Sequence, residues 1–256
     1  DRDGRPDLLF VSEDDVKFPR SPVHEYYRRD EKGGFVRILG QLPDTEANAV
    51  SHADLTGDGT LDVLISGFGQ DVLLVGDGKG GFRDETAARL PRDTSLAQDA
   101  LLLDVDKDGD LDVVLGLEGG HALWINDGKG KFRDESDPRL PRFSRVSDHQ
   151  SGDVEARKIV AGDVDRDGDP DLYIAHVGWQ GRAPQDRLLL NDGRGRFTDG
   201  TAGRLPDDVA QGLPVRRKAQ LLGQEALDLL GARRDDLRTQ PRRGRGEIRT
   251  RLARLI

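Results

Sequence analysis

Short apolar runs, set between segments rich in glycine and aspartate, recur along most of the chain. Four of them follow an acidic segment directly, at Leu8–Phe10, Val63–Ile65, Val113–Leu115 and Leu172–Ile174. A comparable run comes before the last three acidic segments, at Ala49–Val50, Leu101–Leu103 and Lys158–Ala161. Such short runs, ended by turn residues, predict β-strands rather than helices. The pattern therefore predicts an all-β fold made of repeated units.

The acidic segments follow a nine-residue pattern whose clearest copy is loop 3, Asp104–Asp112. It has carboxylates at positions 1, 3, 5, 7 and 9, namely Asp104, Asp106, Asp108, Asp110 and Asp112, with a glycine at position 6. Two unit charges about 4 Å apart repel by roughly 1 kcal/mol in water and about 4 kcal/mol at an effective dielectric near 20. Oxygen ligands at alternate positions around a glycine turn suit Ca²⁺. We expect side-chain ligands from positions 1, 3, 5 and 9, a backbone carbonyl from position 7, and φ > 0 at the glycine.

Three further loops carry the same candidate ligands. Loop 4 offers Asp163, Asp165, Asp167, Asp169 and Asp171; loop 2 offers Asp54, Thr56, Asp58, Thr60 and Asp62; the shortened loop 1 offers Asp1, Asp3 and Asp7. Loop 1 lacks its leading aspartate, and loop 2 has threonine at position 3. The sequence thus predicts about three Ca²⁺ sites with a structural role. The alternative for each loop is a solvated acidic turn without an ion.

An EF-hand begins with the same residues, but its loop needs a bidentate glutamate at position 12 on an exiting helix. Position 12 is Ile65, Leu115 or Ile174 in this chain, inside a predicted strand. The EF-hand is therefore excluded.

A second motif follows each acidic loop. Its copies are Leu73–Thr86, Leu123–Ser136 and Leu188–Thr201, with a degenerate copy at Tyr26–Phe35. Asn-Asp-Gly between apolar runs predicts a tight hairpin. The four phenylalanines of this motif are expected to pack between neighbouring units: Phe35, Phe82, Phe132 and Phe197. Four strands in each unit of roughly 50 residues is the size of a propeller blade.

The two linked motifs resemble the FG-GAP/VCBS repeat family, to which the integrin α-subunit propellers belong. The resemblance covers residues 1 to about 206. It implies a β-propeller, usually of seven blades, with Ca²⁺ between the first and second strands of a blade. Four blades are present here, at about 1–45, 46–95, 96–145 and 154–206, so we interpret the chain as part of a larger ring. We expect the missing blades elsewhere in a longer chain, and the absence of methionine agrees with a fragment or a processed product.

The formal net charge of −9 is unevenly distributed. Residues 207–256 contain 12 Lys or Arg and 7 Asp or Glu, so the acidic excess lies in the repeats, which argues against nucleic acid as their partner. Three interpretations of residues 207–256 stay open: a helical or disordered appendage, a basic arm for an anionic partner, or an out-of-frame reading of a GC-rich gene. The chain has no cysteine and no apolar run long enough to cross a membrane.

Insertions between the second and third strands, and between blades 3 and 4, predict a ligand face on the side away from calcium. The candidate ligand-binding residues there are Arg20, His149, His176, Trp179 and Arg182. We interpret the protein as a secreted or periplasmic adhesion or binding module for a protein or glycan, without a catalytic motif. The alternatives are an accessory domain of a secreted carbohydrate-active or phospholipid-cleaving enzyme, and a scaffold that binds partner subunits.

Overall fold

The structure is a computed structural model, and it describes residues 3–12, 24–141, 154–178, 184–205 and the strand at 250–255. These residues form four antiparallel four-stranded sheets, called blades 1 to 4. The only helices among them are two short ones, α1 (Thr86–Arg89) and α2 (Ser136–Arg139). None of these described helices has the length and apolarity to cross a membrane. The predicted all-β fold of propeller blades is confirmed.

Blades 2 to 4 take their strands in chain order. Blade 2 contains β4 (Ala47–Ala53), β5 (Asp62–Gly67), β6 (Val72–Gly76) and β7 (Phe82–Asp84); blade 3 contains β8 (Ala97–Leu103), β9 (Asp112–Leu117), β10 (Gly120–Asn126) and β11 (Phe132–Asp134); blade 4 contains β12 (Val154–Gly162), β13 (Asp171–Gly178), β14 (Arg187–Asn191) and β15 (Phe197–Asp199). Loops 2 to 4 join the first and second strands of their blades, as predicted.

Blade 1 is assembled from both ends of the described chain. Its own strands are β1 (Asp7–Ser12), β2 (Glu25–Arg29) and β3 (Phe35–Ile38), and β16 (Thr250–Leu255) pairs antiparallel with β1. In the other blades this place belongs to β4, β8 or β12. The sequence analysis assigned no strand to this segment. Residues 206–249, to which the helical interpretation of the tail applies, lie outside the described residues.

The first strands of successive blades lie side by side. Asn48 Nδ2 donates to the carbonyl of Ala97 (3.0 Å), and the Ser51 hydroxyl to that of Ala100 (2.9 Å). At the joint between blades 3 and 4, the backbone N–H of Ile159 donates to Asp99 Oδ2 (2.9 Å). Polar side chains of one blade thus form hydrogen bonds with backbone groups in the first strand of the neighbouring blade.

The apolar core lies between blades rather than within them. One cluster joins blades 1 and 2 around Leu9 and Val63, and a second joins blades 2 and 3 around Leu64 and Trp124. The third joins blades 3 and 4 and includes Val114 and Leu172, both 0% exposed. Because strand residues alternate between the two faces of a sheet, each blade contributes one face to the joint before it and the other to the joint after it.

The prediction for the four phenylalanines is confirmed at three positions and wrong at one. Phe132 and Phe197 are buried against the preceding blade, and Phe82 contacts Tyr26 of blade 1 edge-to-face at 5.5 Å. Phe35 is 47% exposed. The physical reason is that blade 1 is the first of the array, and no described blade precedes it.

The Phe132→Ala substitution should lower the free energy of unfolding by about 3–5 kcal/mol, because it removes a buried ring from the joint between blades 2 and 3. Urea denaturation would measure the loss. Leu39→Ala, at a side chain 74% exposed, is the control and should cost less than about 0.5 kcal/mol. Equal effects of the two substitutions would contradict the assignment of the core to the joints.

Candidate metal centres

The acidic loops share one backbone conformation. The predicted positive φ at position 6 is confirmed, at 80° in Gly59, 95° in Gly109 and 91° in Gly168. Position 4 is left-handed as well: it is Gly57 in loop 2, but Lys107 (φ 62°) and Arg166 (φ 66°) in loops 3 and 4. A non-glycine residue in this region is uncommon, and two at the same repeat position indicate that the surrounding loop imposes the conformation.

The carboxylate at position 9 connects the loop with two strands. In loop 3, Asp112 Oδ2 accepts the N–H of Val105 (3.1 Å) and Oδ1 accepts that of Asn126 (2.9 Å). Loop 4 repeats this arrangement with Asp171, and loop 2 with Asp62, which accepts three backbone N–H groups. Position 9 was predicted as a calcium ligand; in the structure its oxygens also hold the loop to the end of the third strand.

Positions 1 and 5 fold the loop around its glycine. Asp104 Oδ2 accepts the N–H of Gly109 (3.1 Å), and Asp163 Oδ2 accepts that of Gly168 (3.1 Å). Asp108 Oδ1 accepts the N–H of Asp110 at position 7 (3.0 Å), with equivalent bonds in loops 2 and 4. Each of these carboxylates of loops 3 and 4 uses one oxygen in this way, whereas Asp54 in loop 2 uses both.

Carboxylate oxygens of loops 3 and 4 converge in two clusters. Among the described residues, carboxylate oxygens come within 4.8 Å of one another in two groups, Asp104 with Asp106 and Asp108, and Asp163 with Asp165 and Asp171. Three of these residues, Asp104, Asp106 and Asp163, have a buried Oδ1 without a hydrogen-bond partner. A buried oxygen that lacks a partner is unfavourable, so these acidic clusters are suited to a cation.

Burial and crowding alter the pKa values of these loops. Burial raises the pKa of Asp112 to about 7 and also raises the pKa values of Asp62 and Asp171. The pKa of Asp110 is raised by desolvation and then by the charges of its neighbours, Asp108 first. Burial and mutual repulsion therefore disfavour the ionised form of these carboxylates.

The other predicted ligands, mostly in loops 1 and 2, differ from one another in their contacts. In loop 2, the Thr56 hydroxyl is buried without a hydrogen-bond partner, and the Thr60 hydroxyl donates to the carbonyl of Gly76 (3.2 Å). In loop 1, Asp3 forms an exposed ion pair with Arg5 (2.7 Å), and Asp7 accepts the N–H of Arg29 (2.9 Å). Asp1 lies outside the described residues. Asp54, Asp58, Asp167 and Asp169 lie in their loops as expected.

Hydrogen bonds from two hairpin asparagines link loops 2 and 3 to the blade that follows each of them. Asn126 Nδ2 of blade 3 donates to the carbonyl of Leu55 in loop 2 (3.0 Å), and Asn191 Nδ2 of blade 4 donates to that of Val105 in loop 3 (2.8 Å). Arginines assist them: Arg139 contacts Asp106 (3.1 Å) and the carbonyl of Arg194 (2.8 Å). The sequence analysis used Asn-Asp-Gly only as a hairpin signal and missed this contact across the joint.

The opposite end of the blades contains an unpredicted histidine pair. His121 Nε2 and His176 Nε2 are 3.0 Å apart, and the side chains are 2% and 8% exposed. Burial lowers the pKa of His121 well below its usual value, and the nearby His176 and Arg187 lower it further. Beside them, Asp186 accepts the N–H of His176 (2.8 Å) and the hydroxyl of Tyr173 (2.6 Å).

Of the candidate ligand-binding residues, only His176 is among the described residues. It lies in β13 of blade 4, and its ring faces His121 of blade 3 across the joint. Arg20, His149, Trp179 and Arg182 lie outside the described residues.

Comparison with known proteins is consistent with this geometry. The profile of the FG-GAP-like repeat family matches residues 54–115 and 104–174, which begin at the first aspartates of loops 2 and 3. The protein contains FG-GAP-like repeats. Together the two matches begin at loop 2, include all of blade 3 and end within β13 of blade 4. The sequence and the structure therefore agree that the chain contains FG-GAP-like repeats with acidic clusters.

No curated protein matches the chain. Among solved structures, one is described as the structural basis of specific recognition of non-reducing terminal N-acetylglucosamine by an Agrocybe aegerita lectin. It is 19% identical over 76% of this chain and 48% of that chain, with a TM-score of 0.47. The chain thus spans about half the length of that lectin.

Acidification should destabilise the protein through His121. The unfolded state binds a proton near pH 6.5, whereas the folded state resists protonation, so stability falls as pH drops below about 6.5. The loss is at most about 1.4 kcal/mol per pH unit. Denaturation at pH 7.5, 6.5 and 5.5, compared with His121→Leu, isolates this effect because the carboxylates are common to both proteins. Parallel profiles would contradict it.

Proposed function

We propose that this FG-GAP repeat protein is a calcium-stabilised β-propeller module that binds a protein or glycan outside the cell or in the periplasm. In this proposal Ca²⁺ is structural and is held by the acidic loops. The ligand binds at the opposite end of the blades. The calcium assignment rests on the buried oxygens at loop positions 1 and 3 that have no hydrogen-bond partner.

These oxygens belong to Asp104, Asp106 and Asp163, and the Thr56 hydroxyl is the corresponding buried atom in loop 2. An exposed carboxylate without a partner is ordinary, but a buried one loses its hydration without compensation. A divalent cation would supply that compensation at every loop in the same way. Ca²⁺ is the preferred ion because it accepts many oxygen ligands in a flexible geometry.

A structural role follows from where the loops lie. Loops 2 to 4 are tied to the third strand of their own blade through position 9, and loops 2 and 3 also to the next blade through its hairpin asparagine. An ion bound with a dissociation constant near 0.1 mM, in about 1 mM Ca²⁺, would stabilise the fold by about 1.4 kcal/mol per site. Affinities in this range suit extracellular calcium better than cytosolic levels.

The ligand-binding part of the proposal rests on the differences between repeats. The calcium ends of blades 2 to 4 are nearly alike, whereas the connections at the other end differ in length and composition. Binding residues are commonly found on such variable loops over a rigid scaffold. Trp179 and Arg182, in the longest connection of blade 4, remain the candidates for stacking and hydrogen bonding to a sugar or peptide.

Calorimetric titration with Ca²⁺ should show about three sites, and a chelator should lower the melting temperature. Asp106→Asn and Asp165→Asn should each remove one site, because each weakens position 3 of one loop. Without calcium, Asp165→Asn should be at least as stable as the wild type, since it relieves repulsion, whereas Asp106→Asn relieves repulsion but also weakens the ion pair with Arg139.

Asp127→Asn is the matched control. Asp127 is an exposed hairpin carboxylate of blade 3 whose Oδ1 accepts the N–H groups of Lys129 and Lys131, bonds that asparagine also makes. It should leave the stoichiometry unchanged. The absence of any heat with the wild type, or the same loss of a site with Asp127→Asn, would refute the calcium assignment.

The ligand face is tested separately with a glycan and peptide array. We expect binding that Trp179→Ala reduces at least tenfold while the calcium stoichiometry stays the same. Binding that survives this substitution unchanged would move the ligand site away from the blade 4 connection.

A further inference from the structure

A positive charge of one acidic loop pairs with a negative charge of the next. The ammonium of Lys107, at position 4 of loop 3, forms an ion pair with the carboxylate of Asp169, at position 7 of loop 4. Because loop 3 belongs to blade 3 and loop 4 to blade 4, this pair crosses the joint between the two blades. The lysine side chain is 51% exposed and the aspartate side chain 13%. Loop 4 thus contacts a cation that the neighbouring blade supplies.

Position 4 of an acidic loop faces the following blade. In loop 2 this position is Gly57, and a Cβ atom there would lie 2.9 Å from the carbonyl oxygen of Gly128 in the hairpin of blade 3. A Cβ atom on that hairpin glycine would in turn contact Asp110, the position 7 residue of loop 3. Lys107 has the same left-handed conformation as Gly57, with φ of 62° and 71° respectively. The loop conformation therefore directs the side chain of Lys107 toward Asp169.

The electrostatic environment of the lysine comes mainly from loop 4. Its hydrogen bond with Asp169 raises the pKa of Lys107 against a smaller effect of desolvation. The charges of Asp169, Asp167 and Asp163 raise this pKa further. These carboxylates stand at positions 7, 5 and 1 of loop 4. Lys107 belongs to loop 3 in the sequence, but its charge acts chiefly on loop 4.

No lysine occupies the equivalent place at the joint between blades 2 and 3. Gly57 stands at position 4 of loop 2 and has no side chain that could extend to Asp110. Desolvation raises the pKa of Asp110, and the charges of its neighbours, Asp108 first, raise it further. Loops 3 and 4 have aspartate at the same five positions. Of these two loops, only loop 4 is paired with position 4 of the loop before it.

The lysine and a bound cation do not need the same oxygen. In the proposed calcium site, position 7 contributes its backbone carbonyl, which leaves the side chain of Asp169 outside the set of ligands. Lys107 pairs with this remaining carboxylate. The lysine and the ion can therefore be present together, and they repel each other as like charges.

We propose that Lys107 sets the calcium affinity of loop 4, as a counter-ion fixed in the preceding blade. This inference rests on the proposed function, since it requires Ca²⁺ in loop 4. Without the ion, the ammonium offsets part of the repulsion among the five carboxylates. With the ion, the ammonium repels the bound cation. Loop 4 therefore binds Ca²⁺ more weakly, and depends on it less, than its five carboxylates alone would.

The size of this effect follows from Coulomb's law. A charge of +1 and a charge of +2, roughly 6–10 Å apart in water, repel enough to change a dissociation constant by about fourfold to tenfold. Salt reduces the repulsion, because the Debye length falls to about 3 Å at 1 M ionic strength. Removal of the lysine charge should therefore strengthen calcium binding at low salt and have little effect at high salt.

Calorimetric titration of Lys107→Gln with Ca²⁺ at low ionic strength tests the proposal. The dissociation constant of one site should fall about fourfold to tenfold relative to the wild type, with the number of sites unchanged. In about 1 M NaCl the two proteins should differ by less than about twofold. Lys107→Arg keeps the charge and should bind like the wild type; Arg166 shows that position 4 accommodates arginine.

Two double variants identify the loop on which the lysine acts. Asp106→Asn removes the proposed site of loop 3, and Asp165→Asn removes that of loop 4. The gain in affinity from Lys107→Gln should persist beside Asp106→Asn and disappear beside Asp165→Asn. The opposite pattern would mean that the lysine acts on its own loop, and it would overturn the proposal.

Arg37→Gln is the matched control for the loss of one positive charge. Arg37 lies in β3 of blade 1, its side chain is 43% exposed, and it pairs with Glu25 (3.1 Å). The variant should leave the calcium affinities unchanged. An equal gain with this control, or an unchanged affinity with Lys107→Gln, would contradict the role of Lys107 and leave the calcium assignment intact. The absence of heat with the wild type would contradict both.

Discussion

The buried carboxylate at loop position 9 is the interaction on which each repeat depends. Asp62 and Asp112 are completely buried, and each accepts backbone N–H groups from its own loop and from the end of the third strand. Burying a carboxylate is costly unless its oxygens accept hydrogen bonds, so the loop and the strand must both be in place for this side chain to be tolerated. One residue therefore fixes the loop conformation, the start of the second strand and the position of the hairpin.

The hairpin, once positioned, extends the same constraint to the next blade. Asn126 and Asn191 stand where the third strand ends, and each donates to a carbonyl of the preceding acidic loop. A charge pair crosses the joint as well, because Lys107 of loop 3 pairs with Asp169 of loop 4. Loop charge and blade packing are therefore coupled. An array in which each unit stabilises its neighbours gains stability by nearest-neighbour contacts, so a cation in one loop also supports the joint beside it.

The sequence predicted the features that repeat and missed those that occur once. The strand runs, the loop glycines with positive φ and the Asn-Asp-Gly hairpins recur in register, and the structure confirms them. The exposure of Phe35 could not be read from its motif, because burial depends on a neighbouring blade. The histidine pair brings together residues 55 positions apart, and β16 brings a distant segment to β1; neither has a local signal. Gly57 was the available hint that Lys107 and Arg166 would adopt a left-handed conformation.

The two ends of the blades follow different rules, and this bears on where specificity can arise. At the acidic end, the same residue types recur because one loop conformation must satisfy the same N–H groups in every blade. At the other end, one repeat position is occupied by His24, Asp71, His121 and Asp186. Three of them accept a backbone N–H at or near the end of the second strand, whereas His121 contacts His176 instead. The backbone there requires only an acceptor, which several side chains can provide. The connections at this end are free to differ between blades without disturbing the acidic end, so residues can change there at the least cost to the fold.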